Sequence, residues 1–352
     1  MKASDYVIGV NDEHGQNPPT VGKRTPVMPY LDRSIYENEF NRPAKIYFAI
    51  ALLRCGFRIL DIHPEITDIP ISTRVSRANA GNLTYLVTFA YNAFGNGNTF
   101  NTASGLLTYY SRSSRRLSES RALAEELYSE IVENSLQDNG RGVSTLTDVG
   151  VLQSVNCPSA LIEAGFMTNL REARLMLDPD WQKSIGFSAC QGVANALSLP
   201  YFGEGNPSAY PVIRKGSRNA YVTIAQYYLI LNGKNLAADG IFGSATQSAV
   251  IDFQRRNGLT QDGIIGKQTW TKLVLPAPSA YVLKTGSSGS AVRYAQKKLL
   301  SKLYPLGVDG IFGEQTDNAV KLFQTESELT PDGIIGPLTW SVLTGLSSPR
   351  DR

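Results

Sequence analysis

The stretch Ser159-Ala160-Leu161-Ile162-Glu163-Ala164-Gly165-Phe166 decides how the first part of this chain is interpreted. It is an apolar run of strand length that carries a single carboxylate, Glu163, before a glycine interrupts it. Carboxylates are rarely buried, so the simplest interpretation is a solvated glutamate just past a strand. Reactive side chains of α/β proteins, however, gather at strand ends, and the surrounding sequence decides between the two interpretations.

Strand and helix signals alternate around this stretch, over residues 1–200. The apolar patterns predict strands at residues 6–10, 57–62, 85–89, 105–110 and 161–162, and helices at residues 40–54, 72–80, 116–135 and 181–197. This alternation is typical of a mostly parallel sheet that is flanked by helices on both faces. We therefore predict an α/β fold for a first domain at residues 1–200.

The chain repeats itself in its second half. The stretch Asp239-Gly240-Ile241-Phe242-Gly243 recurs as Asp309-Gly310-Ile311-Phe312-Gly313, and Trp270 recurs as Trp340 at the same offset of 70 residues. A constant offset indicates two copies of one small module. The Asp-Gly pairs are interpreted as turns and helix caps rather than calcium ligands, because isoleucine and phenylalanine stand where a calcium loop needs oxygen ligands.

The repeat and the composition predict where the domains end. Residues 199–211 are rich in Gly, Pro and Ser, which is typical of a boundary between domains. We expect a linker at residues 201–211, an all-helical module at residues 212–275, a linker at residues 276–281 and a second all-helical module at residues 282–346. Modules of this size bury too little apolar surface to be expected to carry catalysis.

The charge and cysteine content argue against several classes of protein. The net charge is +3, with a pI of about 8.6 and no basic tracts, which argues against nucleic-acid binding. The three cysteines are scattered singly, so neither a disulfide framework nor a thiolate zinc site is expected. We find no apolar segment of membrane-spanning length and no signal peptide, and therefore expect synthesis in a cytoplasm and no membrane insertion.

Polar residues stand at three further element ends. His14-Gly15 follows the first strand, Glu37-x-x-x-Asn41 precedes the first helix, and Thr88-Phe89-Ala90-Tyr91-Asn92 ends the third strand. Together with Glu163, these places resemble in their order the zinc-dependent N-acetylmuramoyl-L-alanine amidases of the type 3 family, over about residues 5–197. The two C-terminal copies resemble peptidoglycan-binding type 1 modules.

The resemblance implies a role for each of these residues. It implies that His14 and Glu37 are zinc ligands and that Glu163, in the family's E-x-G-F motif, is the catalytic glutamate. The third ligand of the family is the histidine of an S-x-H-x-N stretch, and Ala90 stands at that position. The candidate substrate-binding residues are Asn92, from the same stretch, and Arg141, from a loop that the family carries.

Ala90 is a serious departure from the family pattern. Alanine has no donor atom, whereas catalytic zinc normally keeps three protein ligands and an open position for water. We therefore expect weakened zinc binding and impaired hydrolysis, and both deliberate inactivation and a recent natural loss fit this pattern. Glu39 is a rival to Glu37 as a ligand, and His63 is the only other histidine, although a lone histidine near a strand end is more often structural.

The implied activity is hydrolysis of the amide bond between N-acetylmuramic acid and L-alanine of bacterial peptidoglycan, with Glu163 as the general base for a zinc-activated water. The repeats would hold the enzyme on the wall, where it would act after release, as a phage endolysin does. Two alternatives stay open: a non-catalytic wall-binding protein with a degenerate amidase domain, and a zinc peptidase acting within the stem peptide. A lysozyme-like glycosidase is disfavoured because no second carboxylate pairs convincingly with Glu163. The sequence leaves the oligomeric state open.

Overall fold

The structure is a computed structural model that describes residues 2–15, 23–134, 140–147, 150–203, 205–274 and 280–345. The chain divides into two compact units, which are described separately below. The first holds nearly all of the described residues up to 203. The second holds the residues from 205 onward, together with the short segments 29–31 and 177–179.

The first unit is built on one six-stranded sheet. Its strands are β1 (Val7–Asp12), β2 (Arg58–Asp61), β3 (Tyr85–Asn92), β4 (Leu107–Ser111), β5 (Val143–Leu146) and β6 (Ser159–Phe166). Their order is β2-β1-β3-β6-β4-β5, and every neighbouring pair is parallel except β4 and β6. The predicted α/β fold class is confirmed. Strand β5 was not predicted, because its four residues are too short a run to give a periodic signal.

Helices cover both faces of this sheet. They are α1 (Asn38–Arg54), α2 (Ile71–Ala80), α3 (Leu117–Asn134), α4 (Gly150–Ser154), α5 (Leu170–Leu175) and α6 (Pro179–Ala196). Helix α1 packs on one face, where the Phe48 ring lies 5.3 Å from that of Phe89 and the Phe40 ring 4.8 Å from that of Tyr91. Helices α2 and α4 pack against the opposite face, in a cluster that includes Ala78 and Val151. Because β1, β3 and β6 are parallel, their carboxyl ends meet at one edge of the sheet.

The second unit contains two three-helix modules. The first has α7 (Ala220–Leu231), α8 (Ser244–Arg256) and α9 (Lys267–Val274), and the second has α10 (Ser290–Ser301), α11 (Glu314–Glu326) and α12 (Pro337–Leu343). The predicted all-helical character of the repeats is confirmed. Most of the expected linker at residues 276–281 lies outside the described residues, as does residue 346, the expected end of the second module.

A buried glutamine holds each Asp-Gly turn of these modules. The side-chain nitrogen of Gln226 donates to Asp239 Oδ1 at 2.8 Å and to the Ile241 carbonyl at 3.1 Å, and its oxygen accepts from the Gly240 amide at 2.9 Å. The same pattern of bonds recurs at Gln254, Gln296 and Gln324. The Asp-Gly pairs therefore form turns, as the sequence predicts, and the Oδ1 atom of each aspartate accepts a hydrogen bond from a glutamine.

Among the residues that the structure describes, no helix combines the length and the apolar character that crossing a bilayer requires.

Candidate active site

The turn that carries His14 is fixed by the glycine that follows it. A Cβ atom added at Gly15 would collide with the backbone of Thr67 and Asp68, so no larger residue fits where the two segments cross. This close approach holds His14 beside Asp68, with 3.7 Å between His14 Nδ1 and Asp68 Oδ2. The other ring nitrogen, Nε2, is left facing Glu37.

His14 and Glu37 lie together at the carboxyl edge of the sheet. The distance from His14 Nε2 to Glu37 Oε2 is 3.6 Å, and Glu37 is only 3% exposed. The other oxygen of Glu37, Oε1, accepts hydrogen bonds from the side chain of Asn41 and the backbone amide of Tyr91, both at 2.9 Å. The second of these bonds ties the carboxylate to the peptide that follows Ala90.

Glu39, the rival ligand, lies in a different environment. Its carboxylate forms two hydrogen bonds with Arg33, at 2.7 and 2.9 Å, and accepts a third from the Tyr36 amide at 2.9 Å. It therefore fastens the loop before α1.

Ala90 and Glu163 are direct neighbours across the pair β3 and β6. Ala90 is 1% exposed, and its methyl group packs with Leu152 of α4, with Leu161 and with the ring of Tyr109. Because paired residues of parallel strands project from the same face, Glu163 stands on the same side of the sheet as Ala90. One of its oxygens, Oε2, is buried and has no hydrogen-bond partner among the described residues.

Burial and mutual repulsion shape the ionisation of this site. Burial, followed by the charges of Glu37 and Glu13, raises the pKa of Glu163 well above its ordinary value. Burial and the charge of Glu13 raise the pKa of Glu37 to about 8. Burial and the charge of Lys23 lower the pKa of His14 to about 4, so its imidazole is neutral at physiological pH. The charges of Glu37 and Glu13 therefore act on Glu163 within this site.

Asn92 and Arg141 both lie near Tyr109. The guanidinium of Arg141 stacks 5.2 Å from the centre of the Phe166 ring, at the end of β6. Tyr109 joins them: burial and the charge of Glu163 raise the pKa of its phenol, while a hydrogen bond with the Asn92 side chain opposes the shift. Tyr109 was not singled out from the sequence, because it faces the site only through the antiparallel pairing of β4 with β6.

His63 takes no part in this group of residues. Its Nδ1 lies 2.9 Å from Asp12 Oδ1, its Nε2 lies 3.0 Å from the Thr67 carbonyl, and the residue is fully buried. The ammonium group of Lys45 donates to Asp12 at 2.8 Å and to the His63 carbonyl at 2.6 Å. With both ring nitrogens engaged, His63 braces the end of β1 and has no nitrogen to offer a metal.

The donor set fits a divalent cation only in part. An imidazole nitrogen and a carboxylate oxygen are ordinary zinc ligands, and His14 and Glu37 present one of each. The unpartnered oxygen of Glu163 is a further buried acceptor beside them. Across the described ranges, however, no three His, Cys, Asp or Glu side chains are already arranged to hold a metal ion.

Comparisons with known proteins show what each part of the chain is similar to. Residues 13–195, more than half of the chain, match the sequence model of the N-acetylmuramoyl-L-alanine amidases. Residues 218–273 and 288–343 each match a peptidoglycan binding domain.

Two relatives and one solved structure illustrate the similarity. A protein of Bacillus licheniformis described as a probable N-acetylmuramoyl-L-alanine amidase is 32% identical over 159 residues, which are 38% of this chain and 45% of that protein. The amidase CwlL of the same species is 31% identical over 172 residues, 41% of this chain and 48% of that protein. This chain thus spans about half the length of these curated relatives. The crystal structure of an N-acetylmuramoyl-L-alanine amidase from Clostridium difficile 630 has 26% identity and a TM-score of 0.45, covering 55% of this chain and 97% of that one.

Proposed function

The chain belongs to the N-acetylmuramoyl-L-alanine amidase family, and we propose on that basis that it is a peptidoglycan hydrolase. Its substrate is the amide bond between N-acetylmuramic acid and the L-alanine of the stem peptide. The observation that carries the proposal is the convergence of His14, Glu37 and Glu163 at one sheet edge, within the residues that match the family.

The residues of the chain divide the hydrolytic work between them. Glu163 takes a proton from the attacking water and delivers it to the alanine nitrogen as the carbon–nitrogen bond breaks. Tyr109 and Asn92 lie next to this carboxylate and are placed to orient the substrate. The family is generally zinc-dependent, and a zinc ion at His14 and Glu37 would supply Lewis-acid polarisation of the scissile carbonyl and a lowered pKa for water.

The absence of a donor at Ala90 impairs this activity in the present chain. Restoring the imidazole in an Ala90→His variant should therefore accelerate the release of peptides with N-terminal alanine from purified peptidoglycan. Adding Glu163→Gln to that variant should lower the rate by about 10²-fold or more, since the general base is lost. Labelling of new amino termini followed by mass spectrometry measures both effects, and zinc content is measured alongside.

Two other outcomes would contradict the assignment. Free amino acids or short peptides, released without separation of glycan from peptide, would indicate a peptidase that acts within the stem peptide. New reducing sugar ends would indicate a glycosidase.

A non-catalytic wall-binding protein is the second candidate, and Ala90 is the observation that favours it. In that case the Ala90→His variant stays inactive, while both proteins sediment with purified cell walls. Both candidates act at the bacterial cell wall, which the two C-terminal modules bind.

A further inference from the structure

Three residues form a row across the sheet at the candidate active site. Ala90 on β3 is paired with Glu163 on β6. On the other side of β3, Asp12 is paired with Phe89, and the amide of Glu13 donates to the Phe89 carbonyl at 3.0 Å. This bond continues the parallel register by one residue, so Glu13 lies directly beside Ala90.

The row places the carboxylate of Glu13 beside Ala90, the position at which the family has a histidine. Side chains of residues paired across strands leave the sheet on the same face, with neighbouring strands about 4.8 Å apart. In this row Ala90 lies between Glu13 and Glu163. Glu13 also lies close enough to Glu37 for its charge to act on that carboxylate. A glutamate with three rotatable side-chain bonds at this position can reach the space beside His14 and Glu37 that a histidine at position 90 would fill.

A second observation is an unsatisfied acceptor at this corner of the sheet. The Glu163 oxygen Oε2 is buried without a hydrogen-bond partner among the described residues, and a lone acceptor of this kind costs free energy unless a cation or a donor reaches it. Carboxylate oxygens are accepted zinc ligands, so a set of one nitrogen and two oxygens supplies the three protein donors that a bound zinc ion normally keeps.

We propose that Glu13 replaces the missing imidazole as the third protein ligand, so that a divalent cation is held by His14, Glu37 and Glu13. The side chain of Glu13 turns toward the ion when it binds, which explains why no three-ligand group is preformed. The inference rests on the metal chemistry of the proposed amidase, but zinc affinity tests it without any measurement of hydrolysis.

The test is a titration of zinc into the metal-free full-length chain, in which calorimetry measures the heat of binding. The parent chain should bind one zinc ion, and Glu13→Gln should weaken the affinity by about tenfold or more without lowering the melting temperature of the metal-free protein. Glu13→Asp keeps the charge but shortens the side chain, and it should weaken binding as well. Glu39→Gln is the matched control, since Glu39 is bound to Arg33, and it should not change the affinity.

A double-variant cycle separates ligation from a general effect of charge. Once histidine is restored at position 90, Glu13 becomes dispensable, so Ala90→His with Glu13→Gln should bind zinc nearly as tightly as Ala90→His alone. The proposal is overturned if the parent chain binds no zinc, or if Glu13→Gln binds as tightly as the parent. It is also overturned if Glu13→Asp keeps full affinity, because Glu13 would then act only as a countercharge for the nearby Lys23 and Arg74. Loss of hydrolysis with zinc binding intact would instead count against the proposed function.

Discussion

Glu37 is held in an environment that opposes its ionisation. It is buried, it lies near two other carboxylates, and the nearest ring nitrogen belongs to a histidine that is itself neutral. Two hydrogen bonds, from Asn41 and the Tyr91 amide, fix one of its oxygens and do not fully offset the burial. Without a metal, the residue is therefore a source of instability at neutral and alkaline pH.

We predict that Glu37→Gln stabilises the metal-free protein as the pH rises. The pKa of Glu37 is raised from its ordinary 4.5 to about 8, so the folded state holds the proton more tightly than the unfolded chain does. The stabilisation that this proton provides is complete below the unfolded pKa and is lost as the pH rises through the folded pKa. Glutamine keeps both hydrogen bonds and cannot ionise. The variant should exceed the parent by on the order of 1–3 kcal/mol near pH 8.

Urea unfolding at several pH values in the presence of a chelator measures this difference. The Glu39→Gln variant is the control, because the Glu39 carboxylate is paired with Arg33. Parallel stability curves for the parent and Glu37→Gln between about pH 5 and pH 8 would show that Glu37 is not perturbed in this way.

Sequence patterns identify the residues of this site better than they identify its neighbours. His14, Glu37 and Glu163 stand in motifs of fixed spacing, and the departure at Ala90 is visible against those motifs. Glu13 and Tyr109 carry no such signal. Their positions depend on the register of β1 on β3 and on the antiparallel pairing of β4 with β6, and a register shift of one residue would turn either side chain to the other face.

At the scale of the element, the two modules differ where they meet. In the first module, Asn219 caps α7 by accepting a hydrogen bond from the Val222 amide at 3.2 Å. The equivalent residue in the second module is Gly289, whose φ of 109° lies in the left-handed region. A Cβ atom there would meet Asn257 of the first module. The amide of Ser290 donates instead to Asn257 Oδ1 at 2.9 Å, so the first module supplies the cap of the first helix of the second.

We predict that Asn257→Ala uncouples the unfolding of the two modules. Loss of a cap costs about 1 kcal/mol, and this cap is also a link between the modules. Differential scanning calorimetry of the full chain should show a lower and broader transition for the modules, or two transitions. The control is Asn219→Ala, which removes a cap of the same chemistry inside one module. If both variants lower the same single transition equally, the bond between the modules does not couple them.

The repeat shows why some elements are predicted well and others are not. The offset of 70 residues fixes the number of modules, and the strong helical periodicity places α8 and α11. The periodicity does not predict the hydrogen bonds that the buried glutamines make to the Asp-Gly turns, nor the cap between the modules. These bonds join residues of different elements that are distant in sequence. The short strand β5 and the five-residue helix α4 fall below the length at which periodicity is readable.

At the scale of the whole molecule, the chain combines a family domain for hydrolysis with two copies of a binding module. A polymer such as peptidoglycan presents the same chemical unit many times, so a second copy of a weak binding module multiplies retention without any new kind of contact. Under the proposed function, the first unit would gain local substrate from this retention, whether or not the metal is held tightly.

We therefore predict that the second module contributes to wall retention through avidity. In a Glu163→Gln background, which spares the wall, a chain that ends at residue 281 should sediment with purified peptidoglycan about 10²-fold more weakly than the full chain. Gln324→Leu is the matched control for length. It removes the glutamine side chain that is hydrogen-bonded to the Asp332 turn but keeps every other residue of the module. It should weaken retention nearly as much as truncation, since the buried groups left unpaired disrupt the module. Equal retention of the truncated and full chains would show that wall binding resides elsewhere. If the Gln324→Leu variant is retained like the full chain while the truncated chain is not, the fold of the second module is not what the wall recognises.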